Sequence, residues 1–350
     1  MMRTLIPAAL LLVLPGSSLS TDYGKLDAVR IETETVYTME TTDFSMTRNG
    51  EPVDSSWGGG GGASEDVRTV VQIDRVIERE DGAPSVVRRS FELVEGAGTM
   101  ERGEDTFDTE RECPLTEVTL ELTLDGDGDV AAEVVDGDEP ADDELLEGHF
   151  LTLALDAFLP EGDVDEGDSW DLEPEAILRA LSLDLDSALF PEAEPEESSG
   201  REGRRGRGGW GGGRRGGGSN TSLFKQADWE GEATIESMEE DVDGLTCVVI
   251  EIELEASGDM PEPEFRGRRD DDVLARPDSA QRMLESTYEI ELEGRIAFSC
   301  ELGRPVMGEI EGTILTERYI ERSREEFSMT MSTVREGTFT WSVALSDHRE

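Results

Sequence analysis

Two histidines, His149 and His348, are the only imidazoles in the 350 residues, and they limit the catalytic chemistry open to this chain. A Ser-His-Asp or Cys-His site needs an imidazole as its general base. His149 would have to serve, because His348 lies in the C-terminal tail. A lone histidine within a helix is more often structural or exposed, so we predict no catalytic residues and a protein that is not an enzyme.

Carboxylates are the other abundant reactive group, with 83 acidic residues in the chain. A pair of them could hydrolyse glycosides, but no pair stands out among so many. Asp125, Asp127 and Asp129 match the first three ligand positions of a helix-loop-helix calcium site. Val130 stands where that loop needs glycine, Asp136 replaces its bidentate glutamate, and the flanks resemble strands. We interpret the run as a hairpin turn and predict no metal site.

The three cysteines, Cys113, Cys247 and Cys300, leave one thiol over if two of them pair. None has a CxxC partner or a nearby histidine, which argues against a zinc site. Two alternatives remain for Cys300. It forms a disulfide with Cys247, or it packs as a small hydrophobic residue on an apolar strand face.

Residues 201–218 form a basic segment with ten glycines, six arginines and one tryptophan. Arg-Gly segments of this kind bind RNA or other polyanions through charge and stacking. The alternative is a disordered loop that docks on the acidic surface of the same protein. The candidate polyanion contacts are Arg204, Arg205, Arg207, Trp210, Arg214 and Arg215.

The net charge of −52 limits the partners of the rest of the chain. Such an acidic surface repels nucleic acid and anionic membranes, so nucleic acid is not an expected partner. No glycine run has the strand-to-helix context and the lysine of a phosphate-binding loop. We therefore predict no cofactor.

The first twenty residues have the parts of a secretory signal peptide. Arg3 precedes an apolar run from Leu5 to Leu14, and small residues follow up to Ser20. The apolar run is much shorter than the roughly 20 residues that span a bilayer. We predict cleavage after Ser20 and an exported protein, periplasmic or extracellular, without a transmembrane helix in the mature chain.

The elements that must position any site divide into two β-rich halves around a helical centre. Residues 142–185 are the part whose apolar residues recur at helical spacing. The first predicted helix begins at Asp142 or Asp143 and presents Leu146, Phe150, Leu153 and Ala157 on one face. The second begins near Glu173, has Pro174 in its first turn, and presents Ile177, Leu178, Leu181 and Leu185.

Alternation of apolar and polar residues predicts long strands on both sides of this centre. The longest run extends from Leu284 to Leu302, with the even positions mostly apolar, and Val306–Ile320 continues the pattern after a turn. Residues 67–80 alternate less regularly, and a turn at Asp81-Gly82 joins them to the next strand. Strands of this kind also occur in outer-membrane barrels, but the two helices and the low aromatic content argue against that class.

These elements predict a mainly β protein with a small helical part. Its long antiparallel strands form a curved sheet or half-barrel that two central helices cover. The predicted order is a signal peptide (1–20), an N-terminal β half (21–141), the central helices (142–190), a disordered Pro/Glu and then Arg/Gly-rich linker (191–222) and a C-terminal β half (223–350). The residues expected to face an apolar ligand are Phe150, Leu153, Tyr288, Ile290, Leu292, Ile296 and Phe298.

Two resemblances accompany this layout. The turn Glu166-Gly-Asp-Ser-Trp170 after a Leu-Pro pair is similar to one in uncharacterised exported bacterial β-proteins. Long curved strands with helices in the hollow resemble the envelope carriers that ferry lipoproteins. The continuous apolar face of Leu284–Leu302 and Val306–Ile314, opposite helices with apolar stripes of their own, predicts a non-enzymatic exported protein that binds a hydrophobic or lipid-like ligand. The alternative function is a cell-surface structural or interaction module that uses its acidic face and Arg/Gly-rich loop.

Overall fold

A computed structural model describes residues 17–53, 62–103, 105–113, 115–124, 129–138, 140, 143–190, 220–260, 281–324 and 327–348. Its strands are β1 (Ser17–Ser18), β2 (Ala28–Arg48), β3 (Glu51–Pro52), β4 (Ala63–Glu80), β5 (Ala83–Arg102), β6 (Asp105–Glu112), β7 (Thr119–Leu124), β8 (Val130–Asp136), β9 (Asp163–Val164), β10 (Ser169–Asp171), β11 (Trp229–Val242), β12 (Leu245–Asp259), β13 (Gln281–Ser299), β14 (Arg304–Arg324) and β15 (Phe327–Asp347). Its helices are α1 (Pro174–Ala180), α2 (Leu183–Leu189) and α3 (Asn220–Gln226), with 3-10 helices at Asp143–Leu146 and Ala154–Phe158.

One long, curved and unclosed antiparallel sheet dominates the structure, as the alternation predicts. Its strand order is β10-β11-β12-β13-β14-β15-β2-β4-β5-β7-β8, with β3 paired to β2 and β6 paired to β5. The last strand of the chain, β15, pairs with β2 near the N-terminus over most of its length. This pairing joins the two β-rich halves into one sheet, although the helical centre separates them in sequence.

The strand β13 shows why the sheet has one apolar and one acidic face. Tyr288, Ile290 and Leu292 are buried, whereas Glu289 and Glu291 between them are exposed. Successive side chains in a strand point to opposite faces, so even positions form the concave core face and odd positions face solvent. The predicted parity is confirmed from Tyr288 to Ile296. Beyond it, next to a register irregularity, Ala297 and Ser299 at odd positions are buried as well.

Two hairpin turns follow directly from local sequence. Asp81 and Gly82 have φ values of 49° and 89°, and Asp243 and Gly244 have φ values of 53° and 83°. Positive φ at both central residues defines the turn whose twist matches a tight hairpin, and Asp-Gly adopts it at low cost. The predicted turn at Asp81-Gly82 between β4 and β5 is confirmed.

At two inward positions of the sheet, glycine allows the backbone of a neighbouring strand to approach closely. A Cβ on Gly312 would overlap the backbone of Glu291 and Leu292, and one on Gly294 would overlap the backbone of Glu309. Glycine at inward positions of long strands permits the local bending that curves a sheet. The run predicted from Leu284 to Leu302 forms one strand through Gly294, although that strand ends at Ser299.

An aromatic cluster joins α3 to the middle of the sheet. The Phe224 ring lies 5.3 Å from Tyr37 and 4.8 Å from Phe339, centroid to centroid. Trp229 donates its indole N–H to the carbonyl oxygen of Phe224 at 2.8 Å. The rings bury a large apolar area in tilted and edge-on arrangements, which are favoured over face-to-face stacking. The helix α3 was not predicted, because its seven residues are too short to show a helical period.

The predicted first helix is wrong. The chain forms a 3-10 helix at Asp143–Leu146 and another at Ala154–Phe158, with irregular backbone between them. Gly148 has a φ of 71°, and a Cβ there would lie 2.8 Å from the backbone of Asp184. Left-handed backbone at this close approach interrupts the i to i−4 hydrogen bonds, so apolar spacing alone misled the prediction.

The predicted second helix begins as expected but is divided in two. Glu173 is its N-cap and Pro174 its first residue, as predicted. Ser182 then adopts left-handed backbone with a φ of 55° between α1 and α2. The bend leaves both Leu181 and Leu185 buried.

The three cysteines carry free thiols, with Cys113 and Cys247 buried and Cys300 exposed. The expectation that Cys300 packs on an apolar strand face is wrong. A register irregularity at Ala297–Phe298 and the end of β13 at Ser299 place Cys300 in a turn.

Candidate functional site

The candidate site is the hollow of the sheet together with residues 143–190 and α3, which we call the inner segment. Inward glycines of the sheet lie against its side chains. A Cβ on Gly96 would be 3.1 Å from the Phe190 ring, and one on Gly308 would be 3.2 Å from a methyl carbon of Leu155. A Cβ on Gly231 would likewise be 3.2 Å from Ile177. Contacts this close show that large side chains of the inner segment use the space that glycine leaves on the sheet.

The first polar anchor between sheet and inner segment is centred on Arg89, which is fully buried on β5. Its Nε and Nη2 donate to the two carboxylate oxygens of Asp74 at 2.8 and 2.7 Å. Nη2 also donates to the carbonyl oxygen of Phe150 at 3.1 Å, and the guanidinium carbon lies 5.2 Å from the centre of the Phe150 ring. Arg89 therefore pairs its charge with Asp74 on the sheet and binds the inner segment through a hydrogen bond and a cation–π contact.

His149 completes this anchor. Its Nδ1 lies 3.3 Å from Nη1 of Arg89, and its Nε2 lies 3.3 Å from the carbonyl oxygen of Leu145. Burial and the charge of Arg89 lower the pKa of His149 to about 3, so the ring is neutral near pH 7. The neutral ring donates from Nε2 and accepts at Nδ1, and both nitrogens are engaged in holding the inner segment.

The second polar anchor is centred on Arg68 of β4. Its Nε and Nη2 donate to one oxygen of Asp66 at 3.0 and 2.7 Å, while its Nη1 donates to Asp186 on α2. The guanidinium also lies over the rings of Tyr37 and Phe190, at 5.7 and 5.3 Å from their centres. The sheet thus supplies the cation, and the inner segment supplies a carboxylate and an aromatic face.

The electrostatics of the second anchor reflect its burial. Burial raises the pKa of Asp186 above its ordinary value, although the nearby Arg68 acts in the opposite direction. Burial would lower the pKa of Arg68, but the charges of Asp186 and Asp66 raise it. Thr221 of α3 donates to the same oxygen of Asp186 at 3.3 Å. Two helices of the inner segment are therefore tied to one guanidinium.

A third anchor fastens the N-terminal residues to the inner segment. Thr21 donates its hydroxyl to Asp156 at 2.6 Å, and Tyr23 donates its hydroxyl to the other oxygen of the same carboxylate. The backbone N–H of Leu153 donates to the Tyr23 oxygen at 2.7 Å. Burial raises the pKa of Asp156, and its hydrogen bonds act against this effect.

A cavity of about 50 Å³ lies between the sheet and the inner segment, next to the Arg68 anchor. Most of the side chains around it are aliphatic or aromatic, and they come from β2, β4, β15 and the inner segment alike. The lining residues are Ile31, Thr33, Thr35, Arg68, Val70, Gln72, Phe150, Leu153, Ala154, Leu155, Leu181, Ser182, Leu185, Asp186, Leu189, Trp341, Val343 and Leu345. The space holds a few water-sized molecules, which is far less than an acyl chain needs.

The residues predicted to face a ligand fall into two groups. Phe150 and Leu153 line the cavity. The five predicted residues of β13, which are Tyr288, Ile290, Leu292, Ile296 and Phe298, are buried in the same core but do not line it. The predicted polyanion contacts from Arg204 to Arg215, and Asp125 and Asp127 of the acidic turn, lie outside the described residues.

Sequence reasoning missed the buried charges Arg68, Asp74 and Arg89. The signal was the irregular alternation of residues 67–80, where the inward positions include Arg68, Gln72 and Asp74. A strand with polar residues on its core face loses the simple apolar period. In the described part of the chain no group of three or more His, Cys, Asp or Glu side chains could hold a metal ion. The site therefore offers paired charges, isolated hydrogen-bond donors and apolar surface.

Comparisons with known proteins place few limits on this site. No protein-family model matches the chain, and no curated protein matches it. Among solved structures, the chain is similar to an outer membrane channel from Pseudomonas putida F1, with 9% identity, 97% of this chain and 100% of that chain covered, and a TM-score of 0.18. It is also similar to OpdD from Pseudomonas aeruginosa, with 6% identity, coverage of 92% and 99%, and a TM-score of 0.15. TM-scores this low carry no argument about this protein.

One further structural finding concerns membranes. Among the helices that the structure describes, none is long and apolar enough to cross a bilayer.

Proposed function

We propose that this protein is an exported, non-enzymatic binding protein that holds a hydrophobic or lipid-like ligand between the concave face of its sheet and the inner segment. The observation that carries the proposal is the cavity beside Arg68, whose walls come from both parts and are mainly apolar. Ligand pockets are typically apolar and have a few well-placed polar groups. The polar lining near Thr35, Arg68 and Asp186 fits that description.

Binding an acyl chain at this site requires the inner segment to move outward. Two features favour such movement over melting of the sheet. The helices of the segment have seven residues each, so they depend on packing more than on their own stability. The segment pairs with the sheet only through the short strand β10 and otherwise contacts it through apolar packing and the polar anchors, whereas the long strands are joined by continuous ladders of hydrogen bonds. Moving the segment would uncover a concave apolar face around the existing cavity.

The resemblance to envelope carriers with helices in the hollow agrees with this proposal at the level of layout. Export rests on the signal-peptide features of residues 1–20. The alternative function, an interaction module using the Arg/Gly-rich loop, has no supporting contact among the described residues. It remains a prediction from composition, and deleting residues 201–218 tests it through self-association at low salt.

Uptake of a fluorescent fatty acid by purified protein tests the proposal, together with extraction of any lipid that co-purifies. We expect saturable binding that Ala154→Phe weakens, because the added ring occupies the cavity from the inner-segment side. Ala83→Phe is the matched control, since Ala83 is exposed at the β4–β5 turn and does not line the cavity. Absence of both co-purified lipid and uptake by the wild-type protein would refute the proposal and leave only a packed core.

A further inference from the structure

A row of three hydrogen-bonding side chains crosses the concave face at one end of the cavity. Trp341 on β15 is paired in register with Thr35 on β2, and Thr35 is paired with Arg68 on β4. All three side chains line the cavity. Adjacent strands lie roughly 4.8 Å apart, so the row extends about 10 Å across the sheet. Further along β15, toward Val343 and Leu345, the lining of the cavity becomes more apolar.

The indole N–H of Trp341 is a buried donor without a hydrogen-bond partner among the described residues. The side chain is almost completely buried, with 3% of its surface exposed. Its six-membered ring lies beside Gly308, where a Cβ would be 3.1 Å from Cζ3. An unmade hydrogen bond to a buried donor is unfavourable, and a ligand that brings an acceptor into the cavity would remove that penalty.

The other end of the row already holds a carboxylate. Asp66, on the same strand as Arg68, accepts hydrogen bonds from Nε and Nη2 of the guanidinium. Asp186, on α2 of the inner segment, accepts a hydrogen bond from Nη1 and also lines the cavity. If the inner segment moves outward, as the proposed function requires, Asp186 moves with α2, whereas Asp66 stays on the sheet.

We infer that the ligand is a single-chain amphiphile with a carboxylate head, which replaces Asp186 at Arg68 and accepts the indole N–H of Trp341. Its chain then extends along the apolar lining toward Leu345. This inference rests on the proposed function and specifies the ligand class. In the resting arrangement Asp186 acts as an internal competitor for the position of the head group.

Charge balance favours a carboxylate over a neutral head. Among the described residues, two cations lie near Asp66. Arg68 pairs with it directly, and Nη1 of Arg111 is 3.8 Å from its carboxylate. Asp186 adds a second negative charge beside Arg68. Moving Asp186 away removes one buried negative charge from beside Arg68. The loss of a buried counter-charge is unfavourable, and a ligand carboxylate at the same place would replace it.

Titration calorimetry with laurate and with dodecanol tests this assignment, because the two probes share one chain length and differ in head group. We expect the wild-type protein to bind laurate roughly tenfold more tightly than dodecanol, as one charge-assisted hydrogen bond would give. Asp186→Asn should raise the affinity for both probes, since both must displace the Asp186 carboxylate. Asp184→Asn is the matched control, because Asp184 lies on the same helix, is mostly exposed, and should change neither affinity.

Two variants locate the head group. Arg68→Gln combined with Asp186→Asn removes both charges of the pair together and should abolish the preference for laurate while dodecanol still binds. Trp341→Phe removes the N–H together with the five-membered ring, so it should weaken laurate binding roughly fivefold, with dodecanol binding by the same variant as the control for the lost volume. A laurate preference that survives in the double variant, or equal binding of both probes by the wild-type protein, would overturn this inference and leave the proposed function intact. Binding of neither probe by the wild-type protein or by Asp186→Asn would overturn both.

Discussion

Asp74 and Arg89 face each other in register across β4 and β5, and their side chains form a two-pronged ion pair inside the core. The distances from Nε and Nη2 of Arg89 to the two carboxylate oxygens of Asp74 are 2.8 and 2.7 Å. Both side chains are at least nine-tenths buried. The same guanidinium contacts His149 and the carbonyl oxygen of Phe150, so the pair connects the sheet to the inner segment.

Breaking this pair should destabilise the protein strongly. Asp74→Asn or Arg89→Met alone leaves an uncompensated buried charge or buried unpaired acceptors, and we expect a loss of roughly 3–5 kcal/mol in the free energy of unfolding. The double variant should lose less than the sum of the two single losses. Arg88→Met and Glu121→Gln are controls from a partly exposed pair at 2.9 Å, where we expect about 1 kcal/mol or less. Chemical denaturation gives all these values, and strictly additive losses would contradict the coupling.

His149 should make the protein sensitive to acid. Its pKa is about 3 in the folded protein, against 6.5 for an unperturbed histidine. The unfolded chain therefore binds a proton at a higher pH than the folded chain does. The stabilising contribution is complete above about pH 6.5 and is lost as the pH falls toward 3, with a total on the order of 4 kcal/mol.

The measurement is the difference in unfolding free energy between the wild-type protein and His149→Gln, followed from pH 7 to pH 4. We expect the wild-type protein to lose stability relative to the variant across this interval. Asp156 and Asp186 have raised pKa values and respond to acid with the opposite sign, but they are present in both proteins and cancel in the difference. Parallel pH profiles would show that the ring is protonated in the folded state.

Neighbouring positions on β13 should respond oppositely to charge. Ile290 is 1% exposed within the core, whereas Glu291 faces solvent. Ile290→Asp places a carboxylate against apolar side chains and should cost several kcal/mol, a large part of a typical stability of ~5–15 kcal/mol. Glu291→Lys should stay within about 0.5 kcal/mol, and relief of repulsion in so acidic a protein favours slight stabilisation. Equal losses in thermal melts would mean that β13 is not one-sided.

The N-terminal residues should prove to be part of the fold. Ser17–Ser18 pair with Asp163–Val164, and Leu19 is 1% exposed in the core. Leu19→Ala should therefore cost about 2–4 kcal/mol, whereas Ser20→Ala at an exposed position should have little effect. A chain that begins at Thr21 should be less stable than one that begins at Ser17. Intact-mass analysis of the exported protein tests whether cleavage falls after Ser20, as the sequence alone predicts, or leaves Ser17–Leu19 in the mature chain.

Sequence periodicity was a sound guide wherever one physical preference dominates. The alternation around Ile290, the turn at Asp81-Gly82 and the helix start at Pro174 each follow from local rules that do not depend on distant partners. The failures occur where distant contacts decide. Gly148 interrupts a helical pattern because the chain approaches α2 there, and Ser182 divides the second helix by adopting left-handed backbone.

The amino-acid sequence by itself determined that this chain forms long one-sided strands around a partly helical centre, because strand alternation and turn chemistry act within a few residues. Only the tertiary structure decided that β15 pairs with β2, and that Arg68 and Arg89 lie on the concave face. A buried arginine interrupts an apolar pattern, and its position is favourable only when partners from elsewhere in the chain are in place. Asp186 is far from Arg68 in sequence, so the candidate binding site exists only in the folded molecule.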